Sequence, residues 1–261
     1  MVPTGHAAPA FVSLAANPLR WRLLTALAAS DYRVRELVAL LGHPQNLISY
    51  HLRLLRRSGL VTAHRSSFDA RDSYYHLDLE RCAHALAAAG VALHPALRLD
   101  PTPPPPTATE QSARPCVLFT CTGNSARSPI AEALLRHRSG GQVEVTSAGS
   151  HPKPRIHPNA VRVLREHYGI DIADQRPRQL DTVARNRFDH LISLCDKVRE
   201  ICPEFSGQPR RTHWSIPDPA AADGNDQASY PAFRHTAAEI DTRIRYLLPV
   251  LTRAPNPEVQ P

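Results

Sequence analysis

No run in this 261-residue chain is apolar over a length that would span a bilayer, and no apolar segment flanked by basic residues opens it. A cytoplasmic protein is the expectation, with no membrane partner. Cysteine is scarce, five in 261 residues, so a disulfide scaffold is excluded. Thiols in a reducing compartment are then available for chemistry. There is no Cys-x-x-Cys and no His-x-x-x-His pair, which removes the ligand spacing of a structural zinc site. No bound metal and no bound cofactor are expected. There is no internal repeat. Negative charge is in deficit, 24 acidic against 31 basic side chains for a formal net charge of +7. That balance invites a nucleic-acid partner without proving one.

Proline, by contrast, is concentrated. Pro101, Pro103, Pro104, Pro105, Pro106 and Pro115 crowd one segment. Such a segment cannot be helical and is expected to be an extended, semi-rigid spacer. It divides the chain into an N-terminal domain at 1–99, a linker at 100–114, a second domain at 115–253 and a tail at 254–261.

In the second domain the apolar stretch Val117-Leu118-Phe119-Thr120 reads as a strand and Pro129 to His137 as a helix. Between them stand Cys121, Thr122, Gly123, Asn124, Ser125, Ala126, Arg127 and Ser128. A loop passing from strand to helix turns successive N–H groups inward, and the helix N-terminus adds partial positive charge, so the concavity favours an oxyanion. The same field favours thiolate over thiol and makes Cys121 the candidate nucleophile. Arg127 carries a planar fork that matches two oxygens of a phosphate or arsenate. Ser128 can donate to the sulfur when it leaves.

A cysteine and an arginine separated by five residues, in this setting, resemble the low-molecular-weight tyrosine phosphatase family from about Pro115 onward, and more closely its arsenate reductase branch. The resemblance implies an α/β fold with a parallel sheet, and ligands in such sheets bind beyond the carboxyl ends of the strands. Cys195 follows the apolar run His190 to Leu194, so it is expected to share a crevice with Cys121. Cys202 lies seven positions on, across a connection that reads equally as a helical turn or a loop. The plainer alternative is that both are buried structural thiols. The resemblance also assigns Asp218, in Asp218-Pro219, the place of the general acid. Ala220, Ala221 and Ala222 follow, where phosphatases of this family tend to carry aromatics. That mouth suits a small inorganic oxyanion.

The first hundred residues read as short helices followed by two strands, a mainly α winged helix-turn-helix. Asn17 caps a helix with Pro18 at its first position and a stripe at Leu19, Leu23, Leu24 and Leu27. Val34, Leu37, Val38 and Leu41 form the next stripe, stopped at Gly42. A third helix begins at Pro44, with Ile48, Leu52 and Leu55 facing inward. Strands at Leu60 to Arg65 and Ser73 to Leu77 flank the turn Ser66 to Asp72. Gln45, Asn46, Ser49, Tyr50 and Arg53 face outward on the third helix, where a recognition helix reads base edges. Arg53, Arg65 and Arg71 are placed to meet phosphates. A docking module with a solvated polar face is the competing reading.

Leu14 to Arg20, Gln45 to Leu55, Ser58 to Val61 and Tyr74 to Leu77 resemble ArsR-type repressors over residues 9 to 95. That implies a homodimer, formed through this domain, on a double-stranded DNA operator. Arsenite-sensing members often carry a cysteine pair in the helix before recognition, whereas this chain has Val34-Arg35-Glu36-Leu37 there. Only Cys82 lies in the module.

Together these readings predict an arsenate reductase fused to a regulator of arsenic resistance. Cys121 attacks arsenate, Cys195 attacks Cys121, and Cys202 moves the disulfide outward to an external thiol reductant, thioredoxin-like or of low molecular weight. The alternatives are a tyrosine phosphatase fused to a DNA-binding domain, and a transcription factor whose anion loop only senses.

Overall fold

The computed structural model describes residues 8–104, 114–205, 207–221 and 226–252. The centre of the proline-rich segment, 105–113, and the expected tail at 254–261 lie outside the described residues. The chain divides into two compact units, Met1–Pro103 and Pro104–Pro261.

The first unit runs α1 (Ala10–Ala15), α2 (Pro18–Ala29), β1 (Tyr32–Arg33), α3 (Val34–Leu41), α4 (Gln45–Arg57), β2 (Val61–Arg65), β3 (Ser73–Leu77) and α5 (Leu79–Leu93). The Asn17 side chain accepts from the Arg20 amide at 3.1 Å and fixes the start of α2. Gly42 ends α3 at φ 69°, and Gly59 turns the chain after α4 at φ 75°, where a Cβ would be strained. The stripe Leu19, Leu23, Leu24 and Leu27 is buried against Leu37, Leu41, Ile48, Leu52 and Leu55. β3 lies between β1 and β2, antiparallel to both. The two-residue β1 is too short to show a period of its own. It exists because Tyr32 and Arg33 pair with Tyr75 and Tyr74. α5 opens on Asp78, whose side chain accepts from the Arg81 amide at 2.9 Å, yet none of its fifteen residues is buried.

The second unit places β4 (Cys116–Cys121) between β5 (Glu144–Gly149) and β6 (His190–Ser193), with β7 (Arg210–His213) beyond β6, and every pairing is parallel. A central parallel strand is covered on both faces, which accounts for the wholly buried Val117, Leu118 and Phe119. α6 (Arg127–Arg138) follows β4 and begins two residues before the expected Pro129. Proline lacks only an N–H that the first helical turn cannot use, so Arg127 and Ser128 join the helix ahead of it. α7 (Pro158–Tyr168), α8 (Leu180–Val183), α9 (Asp196–Ile201) and α10 (Asp226–Thr252) complete the unit, and α10 packs on α6 and α7. No helix is long and apolar enough to cross a membrane among the described residues.

Candidate active site and nucleic-acid interface

The loop between β4 and α6 is turned so that its carbonyls face outward. Those of Cys121, Thr122, Gly123 and Ser125 accept from the amides of Ser150, His151, Lys153 and His157. Among the described residues no backbone N–H from Thr122 to Ala126 is given to an internal acceptor. Asn124 makes the turn at φ 42° and is fully buried. Gly149, at the end of β5, is required beside it, because a Cβ there would sit 2.6 Å from the Thr122 carbonyl oxygen.

Cys121 is 2% exposed, and its Sγ lies 2.9 Å from Ser128 Oγ. Asn124 Nδ2 donates to Ser128 Oγ at 2.9 Å, which leaves the serine proton for the sulfur. Arg127 donates to the Ile216 carbonyl and to Asp218 Oδ2, each at 2.9 Å. The Asp218 side chain is 43% exposed, so the carboxylate stands at the mouth and braces the arginine from there. Cys195 Sγ lies 3.3 Å from Thr122 Oγ1, on the loop that Cys121 opens. Burial pushes the Cys195 thiol up from its ordinary value, and Arg127 pulls it back. Cys202 is half-buried at the far end of α9. Burial raises its thiol too, against the pull of Arg211. The structure thus brings Cys121, Arg127, Cys195 and Asp218 to one crevice and leaves Cys202 outside it.

Sequence reasoning missed the support beneath this loop. Glu132 is fully buried and accepts from Ser147 Oγ at 2.6 Å, Gln175 Nε2 at 2.7 Å and Arg178 Nη1 at 3.2 Å, and it pairs with Arg136. Asn124 ties the cluster to the loop, donating to Ser147 Oγ and accepting from the Arg178 amide. A carboxylate so enclosed persists only because every lone pair is answered. Asp196, after Cys195, is likewise buried and accepts from Ser215 Oγ at 2.6 Å, with His213 Nε2 at 3.1 Å. Both clusters join residues far apart in sequence.

In the first unit, Gln45, Asn46, Tyr50 and Arg53 are exposed on α4 and Ser49 is half-buried. Arg65 and Arg71 brace the β2–β3 wing: Arg65 donates to the Ala70 carbonyl at 2.6 Å, and Arg71 pairs with Asp69 at 2.9 Å. Arg71 holds the Asp69 carboxyl at about 2. His51 on the inner side of α4 was not anticipated. It is 7% exposed, and burial first, then Arg20 and His43, lower its basicity. Burial pushes the Cys82 thiol up to about 11, with Asp78 adding to it. No group of three His, Cys, Asp or Glu side chains poised to hold a metal exists among the described residues.

A parallel sheet with a Cys-x5-Arg loop at its carboxyl edge, the cysteine backed by a serine and the arginine by an aspartate, defines a thiolate enzyme of the phosphoryl-transfer type. Residues 116–256 match the low molecular weight phosphotyrosine protein phosphatase family, and the chain belongs to it. Residues 17–63 match the bacterial regulatory protein arsR family. Among relatives, an arsenate reductase of Halalkalibacterium halodurans is 36% identical over 129 residues, 49% of this chain and 91% of that protein. An arsenate reductase of Bacillus subtilis is 34% identical over the same shares. Among solved structures, an arsenate reductase from Archaeoglobus fulgidus is 31% identical, covering 51% of this chain and 98% of its own, with a TM-score of 0.42. A thioredoxin-dependent arsenate reductase of Corynebacterium glutamicum is 26% identical over 88% of this chain and 96% of its own, with a TM-score of 0.42.

Proposed function

We propose that the protein is a thiol-dependent arsenate reductase carried on the same chain as a DNA-binding regulator. The observation that carries this reading is the second thiol, Cys195, held against the oxyanion loop through Thr122 Oγ1 at 3.3 Å. In a hydrolytic phosphatase this thiol would be a bystander or redox protection and would take no part in turnover.

In the proposed cycle the Cys121 thiolate attacks arsenic while the loop amides and Arg127 hold the oxyanion. An As–S bond forms and an oxygen leaves as water, with Asp218 at the mouth supplying a proton. Cys195 then attacks Cys121 Sγ. An S–S bond forms, the As–S electron pair stays on arsenic, and As(V) departs as As(III). Cys202 attacks Cys195, freeing Cys121 and carrying the disulfide outward. An external dithiol reductant, thioredoxin-like in kind, reduces it.

α9 sets the condition for the last transfer. Cys195 and Cys202 flank a helix of six residues, and a rise of about 1.5 Å per residue puts their Cα atoms roughly 10 Å apart. A disulfide tolerates at most about 7 Å. α9 must therefore unwind to let the two sulfurs meet.

The regulator half is proposed to read a double-stranded operator as a homodimer, with α4 in the major groove and Arg53 on phosphate. α5 supports the dimer. Leu86 and Leu93, seven residues apart and so on one face of the helix, are 48% and 81% exposed, and α1 packs beside α5. A second copy would cover this face. Cys82 and Cys116 are half-buried, and Cys116 Sγ contacts Glu144 at 3.4 Å.

Purified protein tests the enzyme reading. Cys195→Ser and Cys202→Ser are each expected to stop multiple turnover with arsenate while leaving aryl-phosphate hydrolysis intact. Sustained arsenate reduction in both variants would remove the relay and favour either the phosphatase reading or direct attack by an external thiol on the Cys121 adduct.

A further inference from the structure

The strap that crosses the oxyanion loop, Ser150 to His157, carries two cations that the catalytic scheme leaves unused, Lys153 and Arg155, and of these it is the lysine stem that lies against Gly123 of the loop. The strap is pinned to the loop by four main-chain bonds: Ser150 N–H to the Cys121 carbonyl at 3.3 Å, His151 N–H to Thr122 at 2.9 Å, Lys153 N–H to Gly123 at 2.9 Å, and His157 N–H to Ser125 at 2.8 Å. Ile156 is buried, and the His157 ring stacks on Phe233 with centroids 4.5 Å apart, so the far end is held as well. Pro152 and Pro154 flank the lysine and fix the backbone on either side of it.

The Lys153 stem then has little choice of direction. It lies over Gly123, where an added side-chain carbon would stand 3.2 Å from its Cγ and 3.9 Å from its Cε. Gly123 accommodates the stem because it has no side chain of its own. The lysine is exposed and makes no ion pair among the described residues. Asp218, the carboxylate at the mouth, is already engaged with Arg127. An ammonium with no counter-charge, whose stem crosses the rim of a loop built for a dianion, has one evident electrostatic use. It draws the anion in and holds it before and after reaction.

We propose that Lys153 is a substrate-binding and specificity residue of this site, selecting small inorganic tetrahedral dianions over esters that carry a bulky neutral group. The proposal rests on the oxyanion-loop reading above and adds its substrate class. An inorganic dianion fits under the lysine with an oxygen free to meet it. An aryl ester must place its ring where the stem runs, and so gains less from the charge. Lys153 takes no part in bond making, so its loss should appear as a raised KM for arsenate with kcat unchanged.

Inorganic phosphate is a suitable probe, because its binding can be read without any redox turnover. The rate at which iodoacetamide alkylates Cys121, quantified by mass spectrometry against rising phosphate, gives the affinity. Lys153→Gln is expected to weaken protection about fivefold at low salt, an effect that shrinks at high salt as screening takes over. Lys153→Arg is expected to restore it. Equal protection in wild type and Lys153→Gln would overturn the proposal, as would a loss that Lys153→Arg fails to repair or that salt does not change. Failure of phosphate to protect Cys121 even in the wild type would sink the oxyanion-loop reading and this proposal with it. Lysine-dependent protection in a protein that fails to reduce arsenate would leave the proposal standing and remove the reductase reading alone.

Discussion

Two helices of similar length show how differently the halves of this chain are finished. In α6, every residue from Arg127 to Leu135 is buried, including the polar Arg127, Ser128 and Glu132. In α5, no residue is buried, although leucine, alanine and valine dominate it. The polar groups on α6 are inside because the site is inside, and this single chain supplies their partners. On α5, Leu79, Cys82 and Ala85 pack partly against the core, while Leu86 and Leu93 are outside because one chain has nothing to put over them. The comparison teaches that the proposed chemistry is complete in one copy, whereas the proposed operator reading requires two.

The largest effect that would sharpen this contrast is loss of the nucleophile. Cys121→Ser is expected to lower both arsenate reduction and aryl-phosphate hydrolysis at least about a thousandfold, with operator binding unchanged. Steady-state rates and fluorescence anisotropy on one preparation check it. A retained rate would move the active site elsewhere.

Next comes the support of α6. Glu132→Ala strands Arg178, Gln175 and Ser147 around an empty charge position, at a cost of about 3 kcal/mol to the second unit. The denaturant midpoint for loss of aryl-phosphate hydrolysis is expected to fall accordingly. The midpoint for loss of operator binding should stay in place. If both fall together, the two units do not unfold independently.

That carboxylate also shows where sequence reading stops. The Cys121 loop was legible because its chemistry lies within eight consecutive residues, and the Leu19 stripe because helical period repeats locally. Glu132 reads in sequence as one more charge on a helix bearing Arg136 and Arg138. The β4–α6–β5 crossover brings Ser147 to it from fifteen residues away, and the segment after α7, paired to Gly149 at the end of β5, brings Arg178 from forty-six. The pairing of Arg127 with Asp218 spans ninety-one residues; family resemblance alone implies a general acid at Asp218, and nothing in the sequence implies its bond to Arg127. The start of α6 was misjudged by two residues because proline was taken as a boundary where the first turn tolerates it. α5 went undescribed because alanine-rich sequence shows no clean apolar stripe.

A smaller effect separates the relay from hydrolysis. Burial holds the Cys195 and Cys202 thiols above their ordinary values, and attack requires the thiolate, so relay turnover should rise with pH through neutrality by up to about tenfold per unit. Hydrolysis does not use these thiols and should not share that rise. Parallel pH profiles for the two reactions would contradict a relay limited by buried thiols.

One variant tests the central contrast most directly. Leu86→Asp places a charge on the exposed face of α5 without touching either buried core. Sedimentation, operator affinity and arsenate turnover are then measured on the same full-length protein. The account predicts a monomer whose operator affinity falls more than tenfold and whose turnover per chain is unchanged. A monomer that still binds the operator at full strength, or a turnover that falls with dimer dissociation, would contradict it.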